Sequence, residues 1–235
     1  MENDIRLTEQ VEKKTFWEQV KSALSYFYRE FIKFPAHLLA HPLKGFYEFK
    51  VEKRAKVSVA ITFMVVLVFL NILSFQYSGF EVNENDLKDL NSFAEILYII
   101  APVLLLTVAN WSVTTLFDGK GRMKEIFLMF CYSLFPLIWA TGIAIILSNV
   151  LTGDELAFYG LTLSIGAFLT GYMVFFGMIS IHEYGLGKNV ITVFFTIVAA
   201  AIIVFVLILG FDLFQKVYGF LFTLYEEISL RELLG

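Results

Sequence analysis

The sequence predicts an all-α, polytopic membrane protein, with five transmembrane helices and amphipathic interfacial helices at its N- and C-terminal ends. Three observations predict it. Hydrophobic residues make up 58% of the 235 and charged residues only 17%, where a soluble domain carries about 45–50% apolar and about 25% charged residues. Five apolar runs of 21 to 26 residues punctuate the chain, and roughly 20 residues cross a hydrocarbon core as a helix. Basic residues also collect on one side of the alternating loops. The chain divides into a cytoplasmic region 1–56, a five-helix domain 57–211 and an extracytoplasmic tail 212–235.

The N-terminal region carries a periodic face: Phe16, Val20, Leu24, Phe27, Phe31 and Phe34 recur at helical spacing. Thr15 and Glu18 are spaced as a capping box at its start, and Pro35 is expected to stop it. Trp17, Tyr26 and Tyr28 suit a headgroup layer, and Lys21, Arg29 and Lys33 are available to lipid phosphates. Three readings of this helix stay open: docking on the bundle, binding to the membrane surface, and docking a partner. A basic stretch, 44–56, leads into the first span.

The spans follow at Val57–Tyr77, 93–117, 126–151, 156–181 and 190–211. Lipid offers no partner to bare backbone groups, so each is a helix. Short breaker-rich loops join them, including Ser78-Gly79, Asp118 to Gly121, Thr152 to Asp154 and Tyr184 to Gly187. Pro102 and Pro136 are expected to kink the second and third spans. In the tail, Phe214, Val217, Tyr218, Leu221, Leu224, Tyr225, Ile228 and Leu230 make a broad apolar face, suited to a second interfacial helix on the outer side.

With five spans, 15 of the 18 Lys and Arg fall on one side, alongside 11 of the 22 Asp and Glu. The other side has three basic residues against eleven acidic ones, several in the first outer loop, 81–91. The basic side is expected to be cytoplasmic. The N-terminus is then inside, the C-terminus outside, and the chain sits in the plasma membrane.

Polar residues inside such helices need a reason. No span carries an ionisable residue near its centre, which argues against a proton-coupled pump; Glu95, Asp118 and Glu183 stand at span ends. Asn110 and Trp111 close the second span, and Asn110 suits a bond to a neighbouring helix. Asp118, Gly119 and Gly121 read as a turn. His37 and His41, four residues apart, could join His182 and Glu183 at a metal, but solvated histidines are the simpler reading. Cys131, the one cysteine, lies in an apolar run and reads as a packing residue. Gly160, Ser164, Ala167 and Gly171 form small-xxx-small pairs on the fourth span, beside Gly166 and Gly177. They allow close helix approach, within the chain or between chains. No nucleophile, base or metal motif stands out, so no cofactor is expected.

The stretch from Ala109 to Pro136, ANWSVTTLFDGKGRMKEIFLMFCYSLFP, resembles the Yip-domain family, especially its bacterial branch. The shared features are Asn110-Trp111, the Phe117-Asp118-Gly119-Lys120-Gly121 turn, and Tyr132 with Pro136. HPLKGF from His41 to Phe46 and His182-Glu183-Tyr184 agree as well. The resemblance implies five spans with the N-terminus inside. It implies GTPase binding only for relatives with an Asp-Leu-Tyr-Gly-Pro segment before the first span, which this chain lacks. The expected function is a non-enzymatic scaffold or accessory subunit that contacts lipids and either a membrane-protein partner or its own copies, with no nucleic acid. A small-solute transporter or channel is the alternative; it calls for a polar cavity lined by Asn71, Asn110 or Asn149.

Overall fold

A computed structural model describes residues 16–83 and 90–234, with side chains for 17–83 and 90–227. Thr15 therefore lies outside the described residues, as do 84–89 of the loop after the first span and the side chains of Ile228 and Leu230. Every regular element among the described residues is helical. Helix α1 is Phe16–Phe27, a π turn spans Tyr28–Lys33, and α2 and α3 are Phe34–Ala40 and Pro42–Val51. The long helices are α4 (Val57–Tyr77), α5 (Ser92–Leu116), the pair α6 (Met123–Ser133) and α7 (Phe135–Ser148), α8 (Ala157–His182) and α9 (Leu186–Leu234).

Five helical segments are long and apolar enough to cross a membrane, α6 and α7 together counting as one. The protein is a multi-pass membrane protein. Three boundaries differ from the sequence reading. Pro35 does not stop the N-terminal helix. It falls in the first turn of α2, where a missing N–H costs nothing, and the π turn just before it absorbs the change of register. Near Pro136 the third span is interrupted at one residue: Leu134, still αR at φ −72° and ψ −11°, bonds the Cys131 carbonyl three residues back and separates α6 from α7, whereas α5 runs as one helix through Pro102. The fifth helix does not end near 211 but continues to Leu234.

The core gathers around Tyr132, which is fully buried. The rings of Phe34, Phe49 and Phe63 meet it edge-on at centroid distances of 6.0, 5.2 and 5.6 Å. These come from α2, α3 and α4, so one tyrosine on α6 joins the pre-membrane helices to the bundle. Its hydroxyl accepts the Lys56 N–H at 3.0 Å, at the start of α4. Cys131 packs beside it, 3.5 Å from the Met64 sulfur. At the opposite end, the Gly79 N–H donates to Ser148 Oγ at 3.0 Å and Asn149 Nδ2 to the Tyr77 carbonyl at 2.8 Å.

Candidate functional site

The last turn of α5, the end of α8 and the first turns of α9 meet at the basic end of the bundle. Each brings polar side chains to the same place, and Asn110, Thr114, His182, Asn189, Thr192 and Thr196 are all buried. Asn110 is the hinge of the network. Its Oδ1 lies 2.9 Å from His182 Nε2, and its Nδ2 donates to Thr196 Oγ1 at 3.1 Å. The Thr196 hydroxyl in turn donates to the Thr192 carbonyl at 2.8 Å. On the other side of the imidazole, the Gly121 N–H donates to His182 Nδ1 at 3.3 Å. A backbone N–H can only donate, so Nδ1 accepts and Nε2 carries the proton to Asn110. The ring is held neutral, in one tautomer, between two partners.

The turn from Asp118 to Gly121 has to pass very close to this ring. Asp118 takes a left-handed conformation, φ 54°, the kind of residue that ends helices without a Cβ clash only with difficulty, Asp and Asn being the tolerated exceptions to glycine. The Gly119 N–H then reaches back to the Thr114 carbonyl at 2.7 Å. A Cβ on Gly119 would lie 2.7 Å from His182 Nδ1, and one on Gly121 2.6 Å from Ile181 Cγ2. Both positions require glycine because the backbone itself forms the wall of the histidine site.

Around the rim, Tyr184 stacks on His182 with centroids 5.3 Å apart and donates to the Phe117 carbonyl at 3.0 Å. Burial first, and then the Asp118 carboxylate, push its phenol up, so it stays a donor. Glu183 ends α8 in a left-handed conformation, φ 57°, and binds Lys120 at 2.6 Å and Lys50 at 2.9 Å. Hydrogen bonds from Lys120 and then Lys50 hold its carboxyl down to about 2. Lys50 also donates to the Ile181 carbonyl at 2.9 Å, one of the orphan acceptors at a helix C-terminus. Loop 117–122, helix α3 and the end of α8 are thereby tied at one point.

This is a packed polar lock: no carboxylate faces the imidazole and no nucleophile stands beside it among the described residues. Replacing Asn110 with leucine should leave the His182 Nε2–H without an acceptor, while Thr196 keeps its bond to the Thr192 carbonyl, at a cost of about 1–2 kcal/mol, since an orphaned buried group costs ~1–3 kcal/mol and bonds in membrane bundles average nearer 0.6. In mixed detergent unfolding, Asn110→Leu combined with His182→Leu should lose less than the two single losses added. Strict additivity would mean that the two residues do not act as a pair.

The expected site residues fall into four groups. Asn110, Gly119 and Gly121 belong to the lock, with Asp118 exposed at its edge. Trp111, next in sequence to Asn110, points outward and is 44% exposed. Pro136 is buried in the first turn of α7. Gly160, Ser164, Ala167 and Gly171 all lie on an exposed face of α8. The close approach of α8 to its neighbours uses Gly166 against Ala140, and Gly177 against Met129 and Phe46. His37 and His41 face each other, rings 5.2 Å apart, while both nitrogens of His182 are engaged elsewhere; no three His, Cys, Asp or Glu among the described residues are placed to share a metal. Asn71 and Asn149 line two separate clefts at the end of the bundle opposite the lock, and Asn110 is fully buried.

Sequence reasoning missed Lys50, Thr192 and Thr196. A signal existed: Asn189, Thr192 and Thr196 recur at three and four residues in an otherwise apolar run, one polar stripe aimed at one neighbour.

The family comparison agrees with this geometry. The Yip1 domain model matches residues 36–208, from the pre-membrane helices through α9 beyond the lock. No curated protein and no solved structure matches the chain. The segments that carry the resemblance, around Asn110-Trp111, Asp118 to Gly121 and His182 to Tyr184, are distant in sequence and converge on one buried network, and the chain belongs to the Yip1 domain family.

Proposed function

We propose that this protein is a non-enzymatic scaffold or accessory subunit of a membrane complex, in the plasma membrane, with its N-terminus cytoplasmic and its C-terminus outside. The basic-residue count supports that orientation, and the Asn110-Trp111 and glycine-turn motifs support a place in the bacterial branch of the family.

One observation carries the interaction reading: the length and character of α9. Its 49 residues reach about 73 Å at 1.5 Å per residue, against a hydrocarbon core of about 30 Å. Lys188 and Asp212 bracket the part that fits the bilayer. Beyond Asp212 the helix continues unbroken with Leu213, Phe214, Val217, Tyr218, Phe220, Leu221, Phe222, Leu224 and Tyr225, all exposed. An unbroken helix carries these side chains off the membrane, where lipid cannot cover them and another protein can. This segment serves as an arm that a membrane-protein partner or a second copy of the chain covers. The amphipathic α1, with Leu24 and Phe27 exposed, lies in the cytoplasmic interface.

Cross-linking in native membranes, followed by purification in mild detergent, tests the reading. A stable complex is expected, lost when residues 213–235 are removed while the five spans stay folded. A chain that remains monomeric and partnerless, or a complex indifferent to the truncation, would refute it.

A further inference from the structure

Between α1 and α2 the chain makes a six-residue π turn, Tyr28–Lys33. Such turns are rare and tend to occur at functional sites. Arg29, Lys33 and His37 follow one another at intervals of four through this turn and into α2. All three line one cleft of about 340 Å³, closed by Phe34, Glu48 and Arg54. Arg54 comes from the far side, after α3. Lys53 just before it is left-handed, φ 52°, and the turn brings the Arg54 guanidinium 4.7 Å over the Phe34 ring.

The walls hold three full cations and one carboxylate. Glu48 Oε2 takes Arg54 Nη1 at 2.9 Å and stands 3.6 Å from His37 Nε2. Arg29 binds Glu30 through Nε at 3.0 Å, and Glu30 is shared with Lys56. Each guanidinium keeps further N–H donors after these contacts. Lys33 is exposed and has no ion-pair or hydrogen-bond partner among the described residues. With Arg29 and Arg54 each paired to one carboxylate, the cleft keeps an unpaired ammonium and spare guanidinium N–H donors on its walls, and a phosphate accepts from several such donors at once.

We propose that this cleft binds the phosphate of an anionic phospholipid headgroup. The inference rests on the reading that α1 lies in the cytoplasmic interface. The cleft sits just before α4 enters the membrane at Val57, and Tyr28 and Tyr47, both exposed, supply the amphipathic rings typical of headgroup depth. A lipid phosphate is therefore presented to the cleft at high local concentration, whereas a soluble phosphate is not.

The test uses the full chain in detergent, titrated with dioctanoyl phosphatidylglycerol, dioctanoyl phosphatidylcholine or inorganic phosphate, and read by native mass spectrometry. Saturable binding of phosphatidylglycerol is expected, about tenfold tighter than that of phosphatidylcholine. Lys33→Gln should weaken it about tenfold, the loss of one charge-assisted hydrogen bond. Lys21→Gln, the same charge change outside the cleft, should leave it unaltered. Arg54→Gln removes a packing contact as well, so Lys33→Gln is the deciding variant. Equal effects of Lys33→Gln and Lys21→Gln would overturn the site in favour of diffuse attraction. Equal binding of both lipids, or binding of inorganic phosphate that the lipid does not displace, would overturn the lipid assignment. Reporter tags at the N-terminus separately test the underlying orientation, so the two failures are distinguishable.

Discussion

Tyr132→Ala is expected to lower the stability of the bundle by about 3–5 kcal/mol, the range for truncating a fully buried aromatic. Tyr132 is the contact at which α2, α3, α4 and α6 meet, through Phe34, Phe49 and Phe63. Truncation leaves a cavity bordered by three rings on three different helices, and no single side chain can collapse into it. Tyr132→Phe keeps the ring and loses only the acceptor for the Lys56 N–H. That N–H stands at the half-buried start of α4, where water can replace the phenol, so about 1 kcal/mol is expected. Unfolding in mixed detergent micelles reads both. Near-equal losses would mean that the hydroxyl, not the packed ring, organises the region. Limited proteolysis adds a second readout: Tyr132→Ala should expose α2 and α3 to cleavage, because their anchor is gone.

A comparable loss, about 3 kcal/mol or more, is expected for Gly166→Ile. Overpacking a core typically costs ~1–3 kcal/mol when side chains can shift. Here a Cβ at 166 would collide with the Ala140 Cβ, an atom fixed to its backbone that no rotamer change can move aside, while the Leu137 Cα and Pro136 carbonyl oxygen are already in contact at 3.5 Å. The axes of α7 and α8 would have to part. Gly166→Ala should be milder, and Ala140→Gly should rescue part of it, since the two groups compete for one space. Gly171→Ile is the control: nothing lies within 4 Å of a Cβ there, and the fold should tolerate it. If Gly171→Ile destabilised the isolated chain as much as Gly166→Ile, the assignment of the two faces of α8 would be wrong.

These two cases show what was legible in the chain. The fourth span displays both glycines and two small-xxx-small pairs, and the spacing of Gly160, Ser164, Ala167 and Gly171 is the more conspicuous pattern. The structure places that pattern outward and packs the helix through Gly166 and Gly177. The same holds for the lock. Asn110, the glycine turn and His182 were visible as polar or breaker residues at span ends, but their convergence was not, and Thr196 and Lys50 were not connected to them at all. Pro35 misled because a proline is a helix breaker only in a helix interior; after the π turn it occupies a first turn, where it fits.

The number of spans and the separation of charge about them are local properties, legible because hydropathy and charge add up along a window of about twenty residues, and the family was legible in short motifs such as Asn110-Trp111. Which side of most helices faces a neighbour emerged from the packing of helix on helix; the Asn189, Thr192 and Thr196 stripe is the exception. In a soluble helix the polar stripe marks the outer face, but in lipid the outer and inner faces are equally apolar, and hydropathy leaves rotation about the axis undetermined. The rotation follows from where a missing Cβ admits a backbone and where a buried polar group finds its partner, and both are properties of pairs of helices.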